Sequence, residues 1–279
     1  KDHLSDVTRL AKELAKKASW RDEATLAGLL HDLGKYADLF QARLRGEVNG
    51  LDHWSPGAWV ALSECQAVAA ALAIQGHHVG LQQGNKQSLG KMNPLVLAQR
   101  HPHNLKLSDT DLGRLKDRLV EDGLSITKPD NCIINLAEIF KNPVASMLDV
   151  RMLFSCLTDA DFLDTEAHFN GDEHGNVYRE KGPFLDTAQA LQALERHMNA
   201  KVRASSGADS AVLAARNALW EMVDVSAAKA PGLFTLTAPT GSGKTLAMLK
   251  FALEHADRKD LKRIVLVVPF LSIIEQTAF

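Results

Sequence analysis

Apolar residues recur at helical spacing from the start of the chain. Leu4, Val7, Leu10, Ala11, Leu14 and Ala15 share one face of a helix predicted over 4–18. Ser19 or Asp22 caps the next predicted helix, which runs through Leu26, Leu29 and Leu30 into His31-Asp32. Gly34-Lys35 follow, then a short segment with Phe40 and Leu44 and a loop from Arg45 to Pro56. Gly57 to Gln75, dense in alanine, valine and leucine, reads as one buried helix ending at Gly76-His77-His78. Residues 82–131 are polar and irregular, with one helix near Asp109–Val120, and read as an insertion or mobile lobe. Helical pattern returns at 133–140 and 143–168. A turn-rich stretch at 170–183 and an amphipathic helix at 186–204 follow.

The pattern then changes. Ala204-Ser205-Ser206-Gly207-Ala208 reads as a linker, and 209–223 as a helix. Gly232 to Thr237 and Ile264 to Pro269 read as buried strands, with a glycine-rich turn and a helix at 246–256 between them. Strand, loop, helix, strand is the opening of a parallel α/β domain. The expected organisation is a mainly α bundle over 1–204, a linker and helix over 205–228, and the start of an α/β lobe over 229–279. The chain opens at Lys1 without a methionine and stops mid-pattern at Phe279, so it reads as a piece of something longer.

Of the 279 residues, 46% are hydrophobic and 24% charged, which suits a soluble globular protein. A net charge of −2 offers no global basic field, so nucleic acid would need a local patch or a metal pair to hold its phosphates. Cys65, Cys132 and Cys156 lie far apart with no CxxC, which argues against a zinc ribbon or a disulfide framework and fits a reducing cytoplasm. No signal peptide or bilayer-spanning run is evident, so no membrane partner is expected.

Eleven histidines are more than average for this length. His3, His31, Asp32, His53, His77, His78 and Asp161 each fall on, or at the end of, a predicted helix, and a bundle can aim such side chains into one pocket. Imidazole and carboxylate without thiolate suit Mn, Fe, Co, Ni or Zn, with Mg possible. Seven candidates are too many for one ion and suit two, the arrangement that activates a water and holds both the attacked phosphate and the leaving oxygen. Lys35, one turn after His31 if the helix persists, either holds a phosphate oxygen or is a solvated helix-end lysine. His101 and His103 read as surface residues.

The order of these residues resembles the HD phosphohydrolase superfamily. The fuller set is Asp2-His3-Leu4-Ser5-Asp6-Val7, His31-Asp32-Leu33-Gly34-Lys35, His53-Trp54-Ser55-Pro56-Gly57-Ala58, Gly76-His77-His78 and Asp159-Ala160-Asp161-Phe162-Leu163-Asp164. It resembles the HD nuclease of the CRISPR-associated helicase-nuclease of type I systems. The resemblance implies an HD-type helical bundle and a metal-dependent nuclease of single-stranded DNA that works with the type I surveillance complex, Cascade. It implies that His31 and Asp32 are ligands, with Asp32 bridging two metals. His53, His77 and His78 would complete one shell, and His3 and a late aspartate the other. A ligand directly after a small residue favours Asp161; Asp159 stays open. Trp54 between His53 and Ser55 departs from the usual His-Ser of the family.

Ala238 through Thr245 nearly matches G-x-x-x-x-G-K-[ST], with alanine at the first position. Backbone N–H groups of such a loop wrap phosphate, the lysine reaches the β/γ-phosphates and the threonine binds Mg²⁺. Thr240, Gly241, Ser242, Gly243, Lys244 and Thr245 are therefore the candidate ATP-binding residues. The run resembles motif I of superfamily-two helicases, and Val267 to Thr277 resembles motif Ia. This identifies the last segment as the truncated beginning of a RecA-like lobe, with ATP and Mg²⁺ as cofactors of the full-length helicase. No acidic Mg²⁺ box or second lobe follows, so DNA-stimulated ATP turnover is not expected from these residues alone. An HD-type phosphohydrolase acting on nucleotides is the alternative, and a binding module with a degenerate metal site ranks last.

Overall fold

The computed structural model describes residues 1–130, 132–134, 142–172, 175–180, 182–204 and 210–267. The chain forms two compact units, Lys1–Glu180 and Lys181–Phe279.

In the first unit, α1 (Asp2–Leu14) buries Leu4, Val7 and Ala11, the face its spacing foretold. It packs against α2 (Ala18–Leu30), whose second half is buried from Glu23 to Leu30. Neither Ser19 nor Asp22 caps α2; both lie inside it, and Lys17 occupies the N-cap without a side-chain bond. Helical geometry ends at Leu30, and a 3-10 turn over Leu33–Tyr36 follows, so Lys35 is not a continuation of α2. α3 (Asp38–Leu44) comes next.

The segment expected to be a loop up to Pro56 holds β1 (Leu51–Asp52) and the start of α4 (Ser55–Ser63), with proline in the first turn. The single buried helix expected over 57–75 is two, α4 and α5 (Val68–Val79). Between them Gln66 takes a left-handed φ of 58°. Glu23 of α2 explains the break. Its buried carboxylate accepts the Ala70 N–H at 2.9 Å, a donor in the first turn of α5 that has no intrahelical partner. The other oxygen accepts the Ile133 N–H at 2.5 Å.

Burial pushes the Glu23 carboxyl up, and the backbone donors Ala70 and Ile133 offset only part of that. A carboxyl raised in the folded state favours folding most below its unfolded value, and that share is lost as pH rises through the folded value. Glu23→Gln keeps one acceptor and loses the other. Urea melts from pH 4 to 8 should show it less stable by about 1–2 kcal/mol. The gap to the parent should narrow as pH rises.

The stretch read as an insertion is packed into the unit. It carries α6 (Lys86–Gly90), α7 (Pro94–Gln99), β2 (Lys106–Leu107) and α8 (Leu112–Glu121). Leu89, Met92, Leu115 and Leu119 belong to the main core. Asn85, Asn93 and Asp111 each accept a backbone N–H at a helix start, which is why a polar sequence yields so many short helices. β2 pairs in parallel with β1, Leu51 beside Lys106 and Asp52 beside Leu107. α9 (Pro143–Phe169) packs on α1, α2 and α5. The helix expected over 133–140 falls largely outside the described residues; Ile133 and Ile134 are not helical.

The second unit holds α10 (Thr187–Ala204), α11 (Ser210–Ala227) and α12 (Lys244–Lys259), with α12 packed on the other two. The sequence put a boundary at 204, whereas the compact units divide after Glu180 because α10 packs on α12. The linker expected over 204–208 lies almost wholly outside the described residues. Residues 232–237 and 264–267 are not strands, and no ladder joins them among the described residues. A β-branched run becomes a strand only by sharing backbone hydrogen bonds, and Leu233, Val265 and Val267 stand exposed. No helix among the described residues is long and apolar enough to cross a membrane.

Candidate metal centre

Four helices of the first unit, α1, α2, α5 and α9, and the corner between β1 and α4 deliver the candidate side chains. His31 caps the C-terminus of α2, and its Nδ1 donates to the Gly28 carbonyl at 2.7 Å. His77, in the last turn of α5, donates from Nδ1 to the Ile74 carbonyl at 2.5 Å. A carbonyl only accepts, so both rings carry hydrogen on Nδ1 and present a lone pair on Nε2. Both Nε2 atoms are buried without a hydrogen-bond partner among the described residues. An unpaired buried acceptor costs about 1–3 kcal/mol, which a bound cation offsets.

Asp32 stands at the middle. Its Oδ2 lies 3.1 Å from His31 Nε2 and 3.5 Å from His3 Nε2. Asp161 Oδ1 lies 3.4 Å from His3 Nε2 and 3.8 Å from His31 Nε2. Donors around an ion at about 2.0–2.2 Å sit roughly 3–3.6 Å apart. His3, His31 and Asp161 offer atoms within 4.8 Å of one another, and Asp32 Oδ2 lies beside both imidazoles, a spacing near that of one coordination shell. The other oxygen of Asp32, Oδ1, lies 3.1 Å from His53 Nε2, which is 3.0 Å from His78 Nε2. Asp32, His77 and His78 also offer atoms within 4.8 Å of one another. The one carboxylate thus faces two donor groups, each with its own imidazoles.

Supporting contacts fix the donors. His3 Nδ1 is 2.7 Å from Asp164 Oδ2, and Asp164 Oδ1 accepts the Tyr178 hydroxyl at 2.8 Å. Of the late aspartates, Asp161 faces the donors, Asp164 holds His3, and Asp159 is exposed. The Gly34 N–H donates to the His53 carbonyl at 2.9 Å, joining the turn after Asp32 to the end of β1. A Cβ on Gly34 would meet that carbonyl at 2.4 Å. The Trp54 ring lies 4.5 Å from the His78 ring and 5.3 Å from His53, packing both against the start of α4.

Charge is divided unevenly. Burial pushes Asp32 up, but the neighbouring imidazoles of His31, His3 and His53 hold it well below the carboxylate range. Burial likewise lowers His3, yet Asp161, Asp32 and Asp164 outweigh it and raise it to about 10. His77 falls to about 3 by burial and by repulsion from His31 and His78. His78 falls to about 4 by burial and the neighbouring His53. At neutral pH, His77 and His78 are therefore uncharged, while a proton on His3 sits among three carboxylates.

A cleft of about 260 Å³ opens on this cluster, lined by His3, Asp32, Lys35, Tyr36, Gln41 and Asp122. Lys35 Nζ lies 2.5 Å from Asp32 Oδ2 and reaches the cleft from the 3-10 turn. His101, read from sequence as a surface residue, is buried at its ring, with Nε2 2.9 Å from Asp52 Oδ2. Asp52 also accepts the N–H groups of Trp54 and Ser55 and the Ser55 hydroxyl. This anchors the corner that carries His53. Asp52 followed by Ser55-Pro56 is a helix-start signature, and it was the available clue. His103 is exposed, as expected.

In the second unit, Gly241 and Gly243 have φ of 83° and 85°, and Lys244 opens α12. Lys244 Nζ donates to the carbonyls of Ala238 at 2.7 Å and Pro239 at 3.0 Å, and the Ser242 hydroxyl donates to Pro239. Arg216 of α11 donates to the Gly241 carbonyl at 3.1 Å. Thr240 and Thr245 are exposed.

Residues 1–111 match the HD domain family, and residues 188–278 match the family described as type III restriction enzyme, res subunit. No curated protein matches the chain. The chain thus carries an HD domain, a metal-dependent hydrolase fold, followed by a superfamily-two helicase-type region. Asp161 lies beyond the HD match and joins the other donors only through the path of α9.

Proposed function

We propose that this HD domain, joined to a helicase-type region, is a metal-dependent nuclease of single-stranded DNA that binds two divalent transition-metal ions. The observation that carries the reading is the Asp32 carboxylate, with His31 at 3.1 Å from one oxygen and His53 at 3.1 Å from the other. The buried, unpartnered Nε2 atoms of His31 and His77 fit a cation. His3, His31, Asp32 and Asp161 would hold one ion, and Asp32, His53, His77 and His78 the other. Such a pair supplies positive charge to the phosphate and eases deprotonation of water.

The chain's own residues do the rest. Asp164 and Tyr178 fix the His3 ring, and the carbonyls of Gly28 and Ile74 fix His31 and His77. Lys35, at the cleft, is placed to hold a phosphate oxygen once its contact with Asp32 is shared. A cleft of about 260 Å³ admits a flexible strand more readily than a duplex, whose phosphates stand far from any deep donor. A helicase-type region suits an enzyme fed with separated strands, and it argues against a free-nucleotide substrate. Action in type I CRISPR defence, with Cascade as partner and a cytoplasmic setting, follows from the sequence resemblance and belongs to the same proposal.

The test is to strip the protein of metal, add Mn²⁺, Co²⁺, Ni²⁺ or Mg²⁺, and offer circular single-stranded DNA, duplex and dNTPs. Cleavage of the circles is expected. Hydrolysis of dNTPs with intact circles would replace the nuclease by a nucleotide phosphohydrolase.

Metal uptake should also release a proton. His3 is raised to about 10, so it is protonated at neutral pH and must lose that proton to bind through Nε2. His77 and His78, lowered to about 3 and 4, have none to lose. Affinity at the His3 shell should therefore rise about tenfold per pH unit between pH 6 and 9. Calorimetry in buffers of different ionisation enthalpy should count about one proton released.

A further inference from the structure

We propose a second ligand site in the first unit, a subsite for a nucleoside phosphate, at the edge formed by β2 and the end of α7. It shares no residue with the candidate metal ligands, and it goes beyond the nuclease reading. A cavity of about 700 Å³ lies there. That is within the range of small-ligand pockets, about 300–1,000 Å³.

Its charge is unbalanced. The two acids in its wall are already answered. Asp109 is paired with Arg114, and Asp38 has Arg118 at 2.8 Å and Arg114 at 3.5 Å. Arg100 and Lys106 also line the cavity and have no ion pair among the described residues. Two cations lining one cavity without an ion pair among the described residues suit an anion of about two charges, as a phosphate monoester or two strand phosphates provide.

Other lining residues suit a base. Leu97 and Leu107 are buried in the lining, and Gln99 and Asn104 bring amides to it. A planar heterocycle has apolar faces for the leucines and a polar edge for the amides.

The wall is preformed. The loop after α7 wraps the buried His101 ring, whose Nδ1 accepts N–H groups from His103 at 3.2 Å and Leu105 at 3.4 Å. His101 is anchored in turn on Asp52. Asn104 is held at a φ of 54°, a left-handed conformation that Asn tolerates better than most residues. A loop fixed from inside loses little entropy when a ligand arrives.

The experiment measures fluorescence anisotropy of a labelled ten-nucleotide oligothymidylate in EDTA, with dTMP as competitor. The Arg100→Ala/Lys106→Ala double variant should bind at least tenfold more weakly. Its log K against log [salt] slope should be shallower by about 1.4, two single-strand phosphate contacts. Competition by dTMP assigns the site to free nucleotides as well; its failure assigns the site to a unit within a strand. Parent affinity in the double variant, or no binding by the parent at all, overturns the proposal. Lys106→Glu provides a second variant, and unchanged melting curves separate lost binding from lost fold. Binding is read without metal, while Mn²⁺-dependent hydrolysis of bis(p-nitrophenyl) phosphate reads the nuclease centre separately. The double variant should keep that hydrolysis, so either reading can fail alone.

Discussion

Asp32→Ala should abolish metal-dependent DNA cleavage, with a loss of about 10³-fold or more. Removing an outer-shell partner of a metal ligand costs about 10–100-fold, and Asp32 is the residue that both donor groups share. Asp32 is held well below the carboxylate range by its contacts, so in EDTA the variant should already melt below the parent. The diagnostic difference is the further shift on adding metal. A ligand at a hundred times its dissociation constant stabilises by about 2.7 kcal/mol, and the parent should show that gain in its melting temperature while the variant does not. Cleavage by Asp32→Ala at the parental rate would remove the proposed centre.

Gly57→Ala should give the largest loss of stability of any single methyl addition in the first unit. A Cβ on Gly57 would lie 1.8 Å from the Leu30 carbonyl oxygen and 2.8 Å from its carbon, backbone atoms rather than the flexible end of a side chain. The first turn of α4 must move away from the end of α2, at a cost of about 3 kcal/mol or more. Leu30 precedes His31, so metal affinity should fall as well. Gly90→Ala is the matched control. It ends α6 with open space around it, and removing glycine there should be neutral or stabilise by up to about 1 kcal/mol. Chemical denaturation of the three proteins decides the point, and a Gly57→Ala midpoint equal to the parent's would contradict this packing.

The sequence made some of this legible and hid the rest. The 3–4 spacing of Leu4, Val7 and Ala11 is enough to find α1, because one face of a surface helix must be buried and the other solvated. His31, Asp32, His77 and His78 could be singled out because helices end there in polar residues after apolar runs. The break between α4 and α5 was invisible. It depends on Glu23, some forty residues earlier, offering a carboxylate to the Ala70 N–H, and no local pattern encodes a distant acceptor. His101 was hidden for the same reason, since its partner Asp52 comes from β1, some fifty residues earlier. The stretch 82–131 looked irregular because its helices are short and held by Asn85, Asn93 and Asp111 caps rather than by periodicity. The β-branched runs at 232–237 and 264–267 show the converse. Strong strand composition does not make a strand without a neighbour to share its hydrogen bonds.

His31 and His77 are each tethered to a carbonyl three residues back in their own helix. The aim of each ring is thus settled within a single turn of backbone, while the gap between the rings is left to how α2 and α5 nest together. Trimming or adding a methyl group in that seam should work like a calliper screw, leaving both lone pairs pointed inward and changing which ionic radius they grip best.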